Sequence, residues 1–389
     1  MNRPARILPF IILSQFACTS VWFAGNAVVV DLQRDWGLSE QSVGYVISSV
    51  QLGFILGTLL FALLAVADRY SPRTVFFVCS LAAAAANLAI LIAPPGLVSL
   101  LILRFATGFF LAGIYPVGMK IAASWYAEGL GRALGYLVGA LVLGTAFPHL
   151  LRGVGAELPW QQVLLCVSLL AVGGGLIVLL CVPDGPHFSA RSRFSPRCVL
   201  AIFRKPDFRA SATGYFGHMW ELYTFWTFVP LWLVAYAGAG DQALNVPLWT
   251  FAIIAAGFIG CAGGGVISQR LGSARVAGIQ LAMSGLCCLL SPWLFSLDLL
   301  VCMLFLLLWG LCVSGDSPQF SALNARNAPP EYVGSALTLV NSLGFLISVL
   351  SIELANGLLP LVGERYLFWC LIPGPVVGLW AMRSLLRRQ

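Results

Sequence analysis

The sequence predicts an all-α membrane protein in which twelve transmembrane helices form two pseudo-symmetric six-helix halves. Three observations predict it. Of 389 residues, 59% are hydrophobic and only 10% charged, and the mean hydropathy is +0.90, whereas a soluble domain is about 45–50% apolar and about 25% charged. Twelve runs are apolar over a length that can cross a bilayer, which takes about 20 residues. Short motifs in the first six runs return, in the same order, in the second six.

The runs justify themselves in order. The first, 8–30, follows Arg3 and Arg6 as a signal peptide would. Its apolar stretch is longer than the roughly 7–15 residues of a signal core, so a retained span is expected. Runs 41–66, 74–94, 97–125, 133–151 and 161–182 complete an N-terminal half, 1–182. The connection "VPDGPHFSARSRFSPRCVLAIFRKPDFR", Val182 to Arg209, is Pro- and Arg-rich, and it supplies a cytoplasmic linker over 183–209. Runs 210–237, 247–268, 276–293, 296–323, 335–358 and 366–384 form a C-terminal half, 210–389, with "SPWLFSLD" as the turn that divides the ninth from the tenth. Gly and Pro inside several runs are compatible with spanning helices.

Basic residues fix an expected orientation. With a cytoplasmic N-terminus, the outer connections hold only Arg34, Arg152 and Arg365, Arg104 and Lys120 fall within a span, and every other Lys and Arg is cytoplasmic. Both termini are therefore expected in the cytoplasm of a multi-pass protein of a bacterial-type inner (plasma) membrane. The net charge of +7 is scattered through short connections, so no basic stripe tracks a phosphate backbone and nucleic acid is excluded as a partner. The expected partners are the lipid bilayer and a small molecule, with the chain a monomer. The 11 Cys lie mostly in apolar runs without a CxxC spacing, which reads as small buried hydrophobes and no metal site. No nucleophile–base constellation stands out, so an enzyme is not expected, nor is a cofactor.

The repeat has an offset near 202 residues. Gly113 and Pro116 in "AGIYPVG" correspond to Gly315 and Pro318 in "SGDSPQF". The loop "ADRYSPRTVF" after the second run corresponds to "SQRLGSARVA" after the eighth. Six spans per copy is an even number, so both copies enter from one side. Halves repeated in this way put a substrate site near the midplane and expose it alternately.

These features together resemble the major facilitator superfamily over essentially the whole chain. The family's loop pattern, roughly Gly-x-x-x-Asp-Arg-x-Gly-Arg-Arg/Lys, is met by Asp68, Arg69 and Arg73, with Leu64 and Ser71 where the family has Gly. The second copy keeps Arg270 and Arg275 but has Gln269 in place of the acid. The resemblance implies the major facilitator fold and a conformational gate at these five charged residues, an acid and a guanidinium latching a neighbouring helix end. "LRFATGFFLAG" resembles the Arg-x-x-x-Gly pattern of proton-coupled members, at Arg104. The fifth span has Pro148 without the Gly that precedes it in drug antiporters, and sugar-porter signatures are not evident.

Ionisable groups within spans are functional hypotheses by default, because a charge at midplane costs about 3 kcal/mol or more unless it is paired, protonated or facing water. Glu221 sits mid-span in "YFGHMWELYTFW", three residues after His218 on the same helical face. Glu221, His218, Asp316 and Arg104 are the expected proton-coupling groups. Asn26, Arg104, Lys120, Trp220, Tyr223 and Trp226 are the expected substrate contacts, with ring packing and amide bonding from residues the resemblance places along a central cavity. If Arg104 and Lys120 both face it, an anionic solute is favoured. The expected function is a secondary active transporter of a small organic solute, driven by the proton gradient through alternating access. Three rivals are an efflux transporter of amphipathic compounds, a transition-metal importer using His218 and Glu221, and a non-transporting membrane sensor.

Overall fold

The computed structural model describes residues 6–126, 130–154, 158–186, 202–240, 243–329 and 332–388, so most of the linker expected over 183–209 lies outside the described residues. All regular structure among the described residues is helical. The chain divides into two compact units, Met1–Pro196 and Arg197–Gln389.

In the first unit the helices are α1 (Ile7–Thr19), the short α2 (Ala24–Ala27), α3 (Val29–Trp36), α4 (Ser42–Leu63), α5 (Val66–Arg69), α6 (Pro72–Ala89), α7 (Leu97–Leu111), α8 (Tyr115–Trp125), α9 (Leu130–Val154) and α10 (Trp160–Cys181). The second unit holds α11 (Pro206–Ala239), α12 (Val246–Leu271), α13 (Ser273–Leu290), α14 (Leu299–Gly315), α15 (Ser317–Asn327), α16 (Val333–Leu367) and α17 (Pro373–Arg388).

Ten helices among the described residues are long and apolar enough to cross a membrane. The last of these, Val333–Arg387, joins the eleventh and twelfth expected runs into one 55-residue element. It turns at Gly363, whose φ of 70° and ψ of 168° are not helical. The first expected run differs in another way. Instead of one helix over 8–30, α1 stops at Thr19 and the chain runs through a turn at Ser20–Phe23 before α2.

Within each unit the same pairings recur. The first span packs on the fifth and sixth, the second on the fourth, and the third on the fourth and sixth: α1 with α9 and α10, α4 with α7, and α6 with α7 and α10; then α11 with α16 and α17, α12 with α14, and α13 with α14 and α17. The second–fourth contact rests on glycines from both sides. A Cβ at Gly53 would lie 2.0 Å from the Phe105 carbonyl oxygen and one at Gly108 1.8 Å from that of Val50. In the second unit a Cβ at Gly260 would lie 2.0 Å from the Leu311 oxygen and one at Gly310 1.9 Å from that of Ile253. Spanning helices associate by close packing of small residues, since lipid supplies no hydrophobic drive between them.

The fourth span of each unit is broken at the repeated Gly-x-x-Pro. Helix α7 ends at Leu111 and α8 starts behind Ile114 with Pro116 in its first turn. Helix α14 ends at Gly315, and Asp316 precedes α15 with Pro318 in its first turn. Pro lacks the N–H a continuous helix would need there and suits a first turn.

Candidate functional site

The first unit buries a cation. Arg104, on α7, is fully buried. Its Nη1 donates to Asn87 Oδ1 at 3.0 Å, and its Nη2 donates to the carbonyl oxygens of Val21 (3.0 Å) and Trp22. These two carbonyls belong to the turn that ends α1. The break therefore supplies acceptors that an intact helix would have used internally. Asn87 is fixed in turn by donating from Nδ2 to Ser168 Oγ (2.9 Å) and the Leu164 oxygen (3.3 Å). A Cβ at Gly25 would lie 2.8 Å from Arg104 Nε, so this glycine makes room for the guanidinium.

The second unit buries a carboxyl. Glu221 is 1% exposed, on α11. One of its oxygens, Oε1, accepts from the Ser284 hydroxyl, from Trp309 Nε1 at 2.9 Å and from the Cys288 thiol at 3.2 Å. Trp309 Nε1 also donates to Ser284 Oγ at 3.1 Å. The other oxygen, Oε2, is buried with no hydrogen-bond partner.

One turn earlier on α11, His218 Nδ1 lies 2.8 Å from Asp316 Oδ1, with both side chains 1% exposed. The distance is within ion-pair range, and the pair is charged only when the imidazole carries both protons. The imidazole is flanked by the rings of Tyr215 and Phe320, each with its centroid 5.9 Å away. His218 and Glu221 share a helical face, as their spacing requires, yet take different partners.

The expected substrate contacts are placed as follows. Lys120, in the middle of α8, donates to the Asp68 carboxylate and to the Ala67 oxygen at 2.8 Å. With Arg104 engaged by carbonyls and Asn87, both expected cations are occupied inside the first unit. Asn26 donates to the Val43 oxygen at 3.1 Å, and its Oδ1 is buried without a partner. Trp220 donates to the Cys370 oxygen at 2.9 Å. Tyr223 and Trp226 are buried and pack edge to face, 5.3 Å apart, with Phe345 against Tyr223.

Of the loop residues, Asp68 holds Lys120, and Arg73 lies 4.0 Å from Asp184, which also accepts from Ser71 at 3.0 Å. Arg69, Arg270 and Arg275 are exposed. Sequence reasoning missed Asn87, Asp184, Ser284, Cys288 and Trp309. A lone Asn in "AAAAANLAI" was a readable signal for the first; Ser, Cys and Trp are common enough in spans to carry none. Among the described residues no group of three or more His, Cys, Asp or Glu could hold a metal ion.

Comparison with known proteins adds three findings. A model of the Major Facilitator Superfamily matches residues 11–352. The chain is 32% identical over 136 residues to the niacin transporter NiaP of Acinetobacter baylyi, covering 31% of this chain and 29% of that protein. It is 28% identical over 175 residues to the putative niacin/nicotinamide transporter NiaP of Bacillus subtilis, covering 42% and 41%. The chain thus matches less than half the length of either relative. Among solved structures, the human organic anion transporter MFSD10 (TETRAN) superposes with a TM-score of 0.71 at 15% identity, over 97% of this chain and 100% of that one. A bacterial homolog to the human lysosomal transporter Spinster does so with a TM-score of 0.69 at 14% identity, over 100% and 99%. At such identities these two speak to the fold alone.

Proposed function

The chain belongs to the Major Facilitator Superfamily, and from that premise we propose that it is a proton-coupled secondary transporter of a small organic solute, working by alternating access. The observation that carries the coupling is Glu221, a carboxyl in the middle of a spanning helix with one oxygen caged by three donors and the other left bare. A group that must exist both with and without a proton is better served by such a half-satisfied acid than by a fixed ion pair. His218 and Asp316 form a second protonatable pair one turn away and take part in the same relay. The substrate class follows the curated relatives: niacin or nicotinamide, or a heteroaromatic compound of that size, is the first to test. Asn26, Trp220, Tyr223 and Trp226 are the residues we assign to it. Lys120 we assign, with Asp68, Arg69, Arg73, Arg270 and Arg275, to the conformational latch instead, because its ammonium is already held by Asp68. We place the protein in the bacterial plasma membrane with both termini cytoplasmic, in keeping with the bacterial relatives and the basic connections.

The test is flux in reconstituted vesicles with labelled niacin and nicotinamide under an imposed proton gradient. Gradient-dependent movement is expected for the native chain and is expected to vanish in Glu221→Gln, while binding, read as a thermal shift, persists. An unchanged gradient response in Glu221→Gln would overturn the coupling, and the absence of a thermal shift with either compound would overturn the substrate class.

A further inference from the structure

Three donors converge on a single oxygen of Glu221, and their chemistry differs. Trp309 Nε1–H can only donate, so at 2.9 Å it fixes Oε1 as an acceptor. Ser284 and Cys288 lie four residues apart on α13, one turn of one helix face, and both reach the same Oε1. The Ser284 hydroxyl accepts from Trp309 Nε1, which directs its own proton towards the carboxyl. Oε2 has no partner and no solvent. A buried anionic oxygen without a donor is far costlier than a neutral hydroxyl in the same place.

We infer that Ser284, Cys288 and Trp309 are positioning residues that hold Oε1 as the carbonyl oxygen of Glu221 and reserve Oε2 as the atom that takes and releases the proton. The step is Oε2–H giving up H+ to a water molecule when alternating access opens Oε2 to solvent, forming H3O+ and leaving the carboxylate, whose charge Oε1 then shares with three donors already in place. No oxidant or further reactant is involved. This rests on the reading of Glu221 as a proton carrier. The other titratable groups around it are His218 on its own helix, Cys287 beside Cys288 on α13, Cys312 on α14, and Asp316 at the start of α15. None of these donates a hydrogen bond to Oε2.

The consequence is spectroscopic. Each hydrogen bond to a carbonyl oxygen weakens its double bond, so a protonated Glu221 held in this way has a carbonyl stretch lowered by its three donors. The experiment is infrared difference spectroscopy of the reconstituted full chain on a pH change, with the native protein and Glu221→Gln, Ser284→Ala, Ser284→Thr, Trp309→Phe and Cys288→Ser. The expected result is a protonated-carboxyl band that is lost in Glu221→Gln, moves to higher wavenumber in Ser284→Ala and in Trp309→Phe, and stays near its native place in Ser284→Thr. Cys288→Ser, which exchanges a weak donor for a stronger one, should move it the other way. If no band disappears in Glu221→Gln, the proton-carrier reading fails. If a band disappears there but is unmoved in both Ser284→Ala and Trp309→Phe, the carrier reading stands and the positioning inference is overturned. Ser284→Ala and Trp309→Phe remove donors from different helices, so misfolding of one leaves the other to decide.

Discussion

Each unit buries an ionisable group where its first, third and fourth spans meet, a base in one and an acid in the other. In the first unit the charge, Arg104, comes from the fourth span. Its partners are backbone carbonyls at the end of the first and Asn87 on the third. In the second unit the acid, Glu221, comes from the first span, and its partners are side chains of the third and fourth. The difference follows from what a helix can offer. A cation needs oxygen acceptors, and backbone oxygens become free only where a helix stops, so α1 ends at Thr19. A carboxyl needs donors. The backbone N–H groups of a continuous helix are already engaged, so side chains must supply them, and α11 runs unbroken from Pro206 to Ala239 past Glu221.

The largest effect should come from removing the cation. Arg104→Met leaves two carbonyls and the Asn87 amide oxygen buried without their donor, at a cost of about 1–3 kcal/mol for each stranded group. Arg104→Lys should recover little, because a point ammonium cannot reach acceptors on two helices as a planar fork can. Glu221→Gln keeps an acceptor at Oε1 and should alter stability far less while removing gradient dependence. Thermal midpoints of the purified variants check this. A loss in Glu221→Gln as large as in Arg104→Met would erase the contrast between a structural cation and a working acid.

The second–fourth helix crossing is where the units should agree. Gly108→Ala and Gly310→Ala each drive a methyl into a carbonyl oxygen at under 2 Å, and overpacking of this kind costs about 1–3 kcal/mol. Similar falls in midpoint are expected. A fall in only one would show that the repeat is not matched in packing.

How far the sequence disclosed this depends on the kind of feature. The sequence places the fourth span at 97–125, the limits the helical element has, because apolar length and a Gly-x-x-Pro break are local signals. The break at Ser20–Phe23 is not legible there, since "TSVWF" holds no Gly or Pro to mark the end of a helix. Its cause lies more than 80 residues away, in a guanidinium that needs those carbonyls. Glu221 stood out as an acid in an apolar run, but its cage did not. Ser284, Cys288 and Trp309 are ordinary spanning residues until three helices bring them to one oxygen. Lys120 shows the same limit: a cation in a span suggests substrate, and only the fold reveals Asp68 beside it.

That loop gives a smaller and one-sided effect. Asp68 and Lys120 are 20% and 27% exposed as side chains, so Asp68→Asn should cost about 0.2–1 kcal/mol of stability, and less in high salt, read as a small fall in midpoint. In the second unit Gln269 stands where Asp68 stands in the first, and Gln269→Ala should be neutral. Equal losses would mean that the two loops are held alike despite the missing acid.

The smallest effect lies at the opposite end of the first unit, and it separates the units by pH. There α3 is tied to α9 by Arg152, 2.8 Å from Asp31, and to the start of α10 by the Trp160 indole, which donates to Asp35 at 2.9 Å, while Arg34 pairs with Asp35 within α3 at 2.9 Å. The Arg34 hydrogen bond, and after it that of Trp160, holds the Asp35 carboxyl below its ordinary value. A carboxyl lowered on folding stabilises the fold above its unfolded value, about 3.9, and that contribution is lost as pH falls through the folded value. The midpoints of the native chain and Asp35→Asn should therefore differ near neutrality and converge in acid below about pH 4. At the corresponding end of the second unit Arg365 is tied to neutral groups: it donates to the Pro292 oxygen at 3.0 Å and sits 5.7 Å from the Phe295 ring centre. Arg365→Gln should lower the midpoint by the same amount at every pH in that range. Convergence in acid for Arg365→Gln, or none for Asp35→Asn, would overturn the reading of the Asp35 tie as ionic and the Arg365 tie as neutral.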